Sequence, residues 1–181
     1  MSMEVTAFMT GFEKAVAFAT AAHEGQVRKY TGEPYVEHVI AVAEMVAAHV
    51  TDKDAITAAI LHDTVEDCDV TIEEIEIEFG ERVAEYVWYL TKPPAFVGNR
   101  AKRKALDRSR LKEAPEIVRF VKVMDIWHNS YSIKKYDQKF YETFREEVRE
   151  LLYIMDALIV VKKFAGETFA YDEFLPWFGD L

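Results

Sequence analysis

Residues 54–67 constrain the chain more than any other stretch. Asp54-Ala55-Ile56-Thr57-Ala58-Ala59-Ile60-Leu61 is Ala-rich and almost wholly apolar. It reads as a buried helix, because Ala and Leu lose little side-chain freedom in a helix. The run passes straight into His62-Asp63-Thr64-Val65-Glu66-Asp67. Ionised side chains in an apolar setting are costly unless paired or bound to a metal. If the helix continues, Glu66 follows His62 by one turn and Asp67 follows Asp63, so each pair shares a face. A ligand-type pair and an acid/base-type pair then lie within about two turns.

The rest of the chain reads as further helices. Apolar residues at helical spacing, including Phe8, Phe12, Ala15, Phe18 and Ala22, mark an amphipathic helix over 4–24 that ends near Gly25. His23 at its end reads as a packing or capping histidine. Residues 26–33 form a loop whose Arg28-Lys29 is, by itself, an exposed basic pair. Pro34 suits the first turn of a helix over about 34–50, in which His38 shares a stripe with Val42 and Met45. Thr51 or Asp52 caps the helix over 52–64. Thr71-Ile72-Glu73-Glu74 is a capping-box pattern, and Gly80 a left-handed cap after Phe79. A helix over 81–91 follows, through Val83, Val87, Trp88 and Leu90, and Pro93-Pro94 stops it. After a basic segment over 100–112, Pro115 opens a helix that carries Lys122, Asp125, His128 and Asn129 among apolar residues. One last long helix covers 137–165, with an aromatic tail beyond it. That tail packs back on the body or forms a contact surface between copies. No strand pattern stands out, so the expected class is all-α.

A chain of 181 residues with 50% hydrophobic residues suits one domain, 1–181, with a good core. The single cysteine, Cys68, excludes an internal disulfide and fits a reducing, cytoplasmic setting. No apolar run approaches the roughly 18 residues of a membrane span, and the N-terminus does not read as a signal peptide. The net charge of −10 argues against general nucleic-acid binding. Against that background the basic residues of 100–112 form either a solvated face or an attractor for an anionic ligand.

Three helices each carry His or Asp on an otherwise apolar face: His38, then His62 and Asp63, then Asp125. For each alone a bland role is available, a buried hydrogen-bonded histidine for His38 and a pair with Lys122 for Asp125. Together, two imidazoles and two carboxylates suit Mn, Fe, Co or Zn better than Ca or Mg. The ordered set His23-Glu24-Gly25-Gln26-Val27-Arg28-Lys29 through Pro34-Tyr35 to His38, then Leu61-His62-Asp63-Thr64-Val65-Glu66-Asp67, Phe79-Gly80, Thr91-Lys92 and Lys122-Val123-Met124-Asp125-Ile126-Trp127-His128-Asn129 resembles the HD-domain metal-dependent phosphohydrolases. Within them it is most similar to the RelA/SpoT-type (p)ppGpp hydrolases and their small stand-alone members. The motif-bearing core spans about 12–135.

The resemblance implies an HD-domain helical bundle and one divalent ion, usually Mn2+, on His38, His62, Asp63 and Asp125. It implies that Glu66 and Asp67 handle the attacking water, and that Arg28, Lys29, Asn129 and Ser132 contact a phosphorylated guanine nucleotide. Water would attack the 3′-pyrophosphate of ppGpp and release pyrophosphate. The chain departs from the pattern after Asn129, where Ser130-Tyr131 replaces Leu-Arg. It also has Val39 where the family has Pro. These changes bear on the nucleotide-facing wall more than on the ligands. Another phosphorylated nucleotide, such as NADPH, is an alternative substrate, and a non-catalytic nucleotide sensor is an alternative class.

Overall fold

The structure is a computed structural model and describes residues 11–178. Phe8 and the start of the expected first helix lie outside the described residues. The helix α1 runs over Gly11–Ala22 and buries Ala15 and Ala19. Phe12 is exposed, so the buried stripe is carried by small residues, with Phe18 set edge-on to Phe79 at 5.4 Å. The loop that follows closes on itself through an antiparallel bridge between Val27 and Pro34. Pro34 therefore precedes the next helix rather than opening it. That helix, α2, covers Val36–Ala47 and buries His38, Val39, Val42, Ala43 and Val46.

The helix α3 covers Lys53–Leu61 and is the central element, lying against α1, α2 and later helices. Its side chains are short, Ala55, Ala58 and Ala59 among them, and all three are fully buried. Small residues let several helices approach one axis, which is why this Ala-rich run occupies the middle. Asp52 caps it by accepting from the backbone N–H groups of Asp54 and Ala55 at 3.0 and 3.2 Å.

The helix does not continue unbroken into the acidic residues. It is interrupted at His62-Asp63 and resumes as the one-turn α4, Thr64–Asp67. Asp63 sits at φ −100°, ψ −5°, in the sparsely allowed bridge region. The Thr64 hydroxyl donates to the Leu61 carbonyl at 2.7 Å, taking up one of the carbonyls that the interruption frees.

The helix α5, Ile72–Phe79, starts with the full capping box between Thr71 and Glu74. Gly80 follows at φ 91°, ψ 163°. That is positive φ, but not the left-handed helical cap expected of it, and the chain turns there into α6, Glu81–Leu90. Trp88 faces outward while Tyr86 is buried. After Pro93-Pro94, α7 covers Arg100–Glu113 and α8 covers Glu116–Tyr136. Eleven residues of α8 are buried, Lys122 and Asp125 among them.

The expected single helix over 137–165 is two helices, α9 over Gln138–Ile154 and α10 over Ala157–Thr168. Between them Asp156 takes a left-handed conformation at φ 51°. Asp tolerates that region better than most residues. Its carboxylate is paired with Arg119 at 3.2 Å. A wider π-helical stretch, Phe169–Phe174, and α11, Leu175–Phe178, fold back on the body. Ala170, Phe174 and Phe178 are buried there. Among the described residues there is no strand, and no helix is long and apolar enough to cross a membrane.

Candidate metal centre and its surroundings

Where α2, the α3–α4 junction and α8 meet, four ionisable side chains converge. His38, His62, Asp63 and Asp125 are all buried. His62 Nε2 lies 3.1 Å from Asp63 Oδ2 and 3.6 Å from Asp125 Oδ1. His38 Nε2 lies 3.7 and 3.3 Å from the same two oxygens. Neither Nε2 has a hydrogen-bond partner, although buried polar atoms are nearly always paired. One ligand atom each from His38, His62 and Asp63 falls within 4.8 Å of the others. Ligand atoms held at about 2.1 Å from one ion stand about 3.0–3.4 Å from each other, so these spacings fit a shared divalent ion.

Tautomers and charges fit as well. His62 Nδ1 lies 2.8 Å from the Ala59 carbonyl, an acceptor, so Nδ1 carries a proton. Burial disfavours the charged imidazole of His62, but Asp63 and Asp125 outweigh it and push the group up to about 10. Burial alone would also raise both carboxyls. His62 instead holds Asp63 well below the usual carboxylate range, and Lys122 with the two histidines does the same for Asp125. Two ionised carboxylates against one ammonium leave the cluster in need of a cation. A proton on His62 satisfies that need, and a divalent ion would satisfy it by taking that proton's place.

The surrounding residues orient the four. The Tyr35 hydroxyl donates to Asp63 Oδ2 at 2.6 Å; burial and Asp63 hold this phenol well above its ordinary value, so it stays a donor. Lys122 Nζ donates to Asp125 Oδ2 at 2.8 Å, and Asn129 Nδ2 to Asp125 Oδ1 at 2.7 Å. The expected pair of Asp125 with Lys122 is thus present and leaves Oδ1 turned to the histidines. His38 Nδ1 lies 2.8 Å from His128 Nδ1. Burial, then His38 and Arg28, push His128 down to about 4, and burial lowers His38 too, so both rings are neutral. Tyr35 and His128 carried no role in the sequence reading. Their partners lie far along the chain, and the one local sign was their place beside Pro34 and Asn129.

The remaining candidates lie on two sides of the cluster. Arg28 donates to Asn129 Oδ1 at 2.8 Å and reaches Ser132 Oγ at 3.4 Å. Arg28 and Ser132 line a cavity of about 560 Å³ with His128, Tyr131 and Trp177. Lys29 and Asn129 line a smaller cavity of about 240 Å³ that Arg28 and Ser132 also border, with Lys29 Nζ near the hydroxyl of Tyr30 and the ring of Phe140.

On the other side Glu66 and Asp67 line a cavity of about 650 Å³ together with Lys92, Arg100, Arg103 and Lys104. Glu66 is held by Lys92 Nζ at 2.7 Å. Desolvation, then Asp63 and Glu66, push the Asp67 carboxyl up. The basic stretch of α7 is partly spent on α9, where Arg100 and Lys104 pair with Glu147 and Arg108 pairs with Glu150.

Residues 15–119 match the model of the HD domain. The chain belongs to the HD-domain family. The match includes His38, His62 and Asp63 and stops short of Asp125, which the fold brings to them. Among relatives of this HD-domain chain, the guanosine-3′,5′-bis(diphosphate) 3′-pyrophosphohydrolase of Vibrio cholerae is 51% identical over 69 residues, 38% of this chain and 10% of that protein. The protein of that activity named MESH1 in Danio rerio is 35% identical over 124 residues, 67% of this chain and 66% of that one. The chain thus spans a tenth of the long relatives and just under two thirds of the short one. A solved metazoan ortholog of SpoT, described as hydrolysing ppGpp, shares the fold with a TM-score of 0.69 at 23% identity, covering 86% of this chain and 96% of that one.

Proposed function

We propose that this HD-domain chain is a metal-dependent nucleotide phosphohydrolase acting on ppGpp as a 3′-pyrophosphohydrolase. The observation that carries the reading is the pair of buried, partnerless Nε2 atoms of His38 and His62 facing the carboxylates of Asp63 and Asp125. An apolar core has no use for that arrangement unless a cation sits in it. These four residues would hold one divalent ion, Mn2+ in this reading. The ion supplies Lewis acidity, giving a more acidic water and a polarised phosphoryl oxygen.

The chain's own residues supply the rest. Glu66, oriented by Lys92, takes the proton from the attacking water, and the raised Asp67 beside it shares that proton. Arg28, fixed by Asn129, offers a planar pair of donors to phosphate oxygens. Lys29 would have to swing from Tyr30 to join it, so its contribution is to the field rather than to a fixed contact. The bond from the 3′-oxygen to phosphorus breaks, and ppGpp and water give GDP and pyrophosphate. The names of the relatives support this substrate, and the lone Cys68 supports a cytoplasmic setting.

One observation favours a second substrate within the same chemistry. Tyr131 and Trp177, with ring centroids 4.4 Å apart, stand in the cavity that holds Arg28 and Ser132. Tyr131 is one of the two residues at which the chain departs from the family pattern after Asn129, so NADPH or another nucleotide is the competing substrate. The test is a panel of ppGpp, NADPH and common nucleoside phosphates with Mn2+-loaded protein, with products separated by anion exchange. Pyrophosphate and GDP from ppGpp support the first reading. Inorganic phosphate from NADPH supports the second. Tight binding of a nucleotide with no turnover supports a sensor.

A further inference from the structure

The contact between His38 and His128 carries a consequence for the metal centre. Two imidazoles that meet Nδ1 to Nδ1 at 2.8 Å hold one proton between those atoms, since two protons would clash and none would leave two lone pairs opposed. Two arrangements satisfy the contact. In one, His128 Nδ1–H donates and His38 keeps its proton on Nε2. In the other, His38 Nδ1–H donates to a bare His128 Nδ1, and His38 Nε2 is left as a lone pair. Only the second leaves His38 able to coordinate, since a ring nitrogen that carries a proton has no lone pair to offer. His38 Nε2 is fully buried, has no hydrogen-bond partner and faces Asp125 Oδ1 at 3.3 Å. Metal-bound histidines generally have the other ring nitrogen fixed by an outer acceptor. His62 has the Ala59 carbonyl for this purpose. For His38 the group in that position is another imidazole.

We propose that His128 is a positioning residue of the metal centre, which accepts the Nδ1 proton of His38 and so holds His38 in the tautomer that coordinates through Nε2. The assignment rests on the metal reading above and goes beyond it, because in this role His128 acts on the ion only through His38. It also predicts which replacement works. The side-chain oxygen of Asn falls near the position of a histidine Nδ1 and can accept the same proton, whereas Leu fills similar space and accepts nothing.

The test uses Zn2+ alone, which is diamagnetic, on full-length protein. Zn2+ affinity is measured by competition with a chelator for wild type, His128→Leu and His128→Asn, and 15N shifts of the His38 ring are read in the Zn2+-loaded wild type. Loss of an outer partner should weaken Zn2+ by about 10–100-fold in His128→Leu. His128→Asn should restore it, and His38 should carry its proton on Nδ1. A folded His128→Leu protein that binds Zn2+ as tightly as wild type overturns the assignment. So does a His128→Asn protein as weak as the Leu variant. Should the Leu variant not fold, the wild-type spectrum still decides, since a His38 proton on Nε2 in the loaded protein contradicts the proposal. Wild-type protein that takes up no Zn2+ overturns the metal reading itself, a different result from equal binding by wild type and variant.

Discussion

His38 Nε2 on α2 and Asp125 Oδ1 on α8 stand 3.3 Å apart, while the other oxygen of Asp125 is held 2.8 Å from Lys122 Nζ. One carboxylate thus holds the Lys122 ammonium with one oxygen and faces the His38 nitrogen with the other. Asp125→Ala should cost more stability than a surface change, because it leaves the buried ammonium of Lys122 without its hydrogen-bonded partner. Breaking such a pair from one side costs about 3–5 kcal/mol. Urea unfolding of metal-free protein measures it. Asp125→Leu with Lys122→Met should recover much of the loss, and a single variant as stable as wild type would show that the pair does not hold the fold.

The pH dependence of metal uptake follows from His62. In the metal-free protein its value is raised from 6.5 to about 10, so at neutral pH the ion must displace a proton from it. Apparent affinity should rise with pH between about 6.5 and 10, by about tenfold per unit for one proton. About one proton should be released per ion, read by calorimetry in buffers of different ionisation enthalpy. For the metal-free fold the sign is opposite. A group raised on folding contributes stability that is fully present below its unfolded value and lost as pH rises through about 10. Metal-free protein should therefore melt at lower temperature on the alkaline side. An affinity that is flat from pH 7 to 9 would contradict the protonated state of His62.

Tyr35 bears on the same centre from outside it. Its hydroxyl is 2.6 Å from Asp63 Oδ2, and a hydrogen bond to a charged group contributes about 1.5–3 kcal/mol. Tyr35→Phe keeps the ring and removes the donor. Metal affinity should fall by about 10–100-fold with the fold intact, as measured by chelator competition and circular dichroism. An unchanged affinity would make the contact incidental.

Binding and chemistry should separate in kinetics. Glu66→Gln should lower kcat by about 10²–10⁴-fold with metal content unchanged, as expected for a lost general base. Arg28→Ala should mainly raise KM if its contact is equally strong before and at the transition state. Lys29→Ala should do less than Arg28→Ala, because Lys29 lies against Tyr30 and Phe140. Steady-state rates with ppGpp, alongside metal analysis of each variant, check all three.

The residues that announce themselves locally were readable in the sequence. Apolar spacing marked the helices, Asp52 and the Thr71–Glu74 box marked their starts, and Pro93-Pro94 marked a stop. His38, His62, Asp63 and Asp125 stood out because ionisable groups on apolar faces are costly. What the sequence hid was set by long-range contact or by backbone choices that the pattern tolerates. Apolar periodicity runs on through Met155 and Leu158, so nothing in it marks the left-handed turn at Asp156 between α9 and α10. The interruption at His62-Asp63 hides inside a continuous helical pattern. Tyr35 and His128 meet partners 28 and 90 residues away, and Lys29 lies by the ring of Phe140, which only the fold brings near. Outward residues such as Phe12 and Trp88 show that spacing names a face without saying how far round the helix the core extends.

The most direct test of the account is product analysis on purified protein whose metal content has been counted. Wild type loaded with Mn2+ should hold one ion per chain and convert ppGpp to GDP and pyrophosphate, while Asp63→Ala should lose both the ion and the reaction. Asp63→Ala protein that keeps a full complement of metal, or loaded wild type that leaves ppGpp intact, would contradict it.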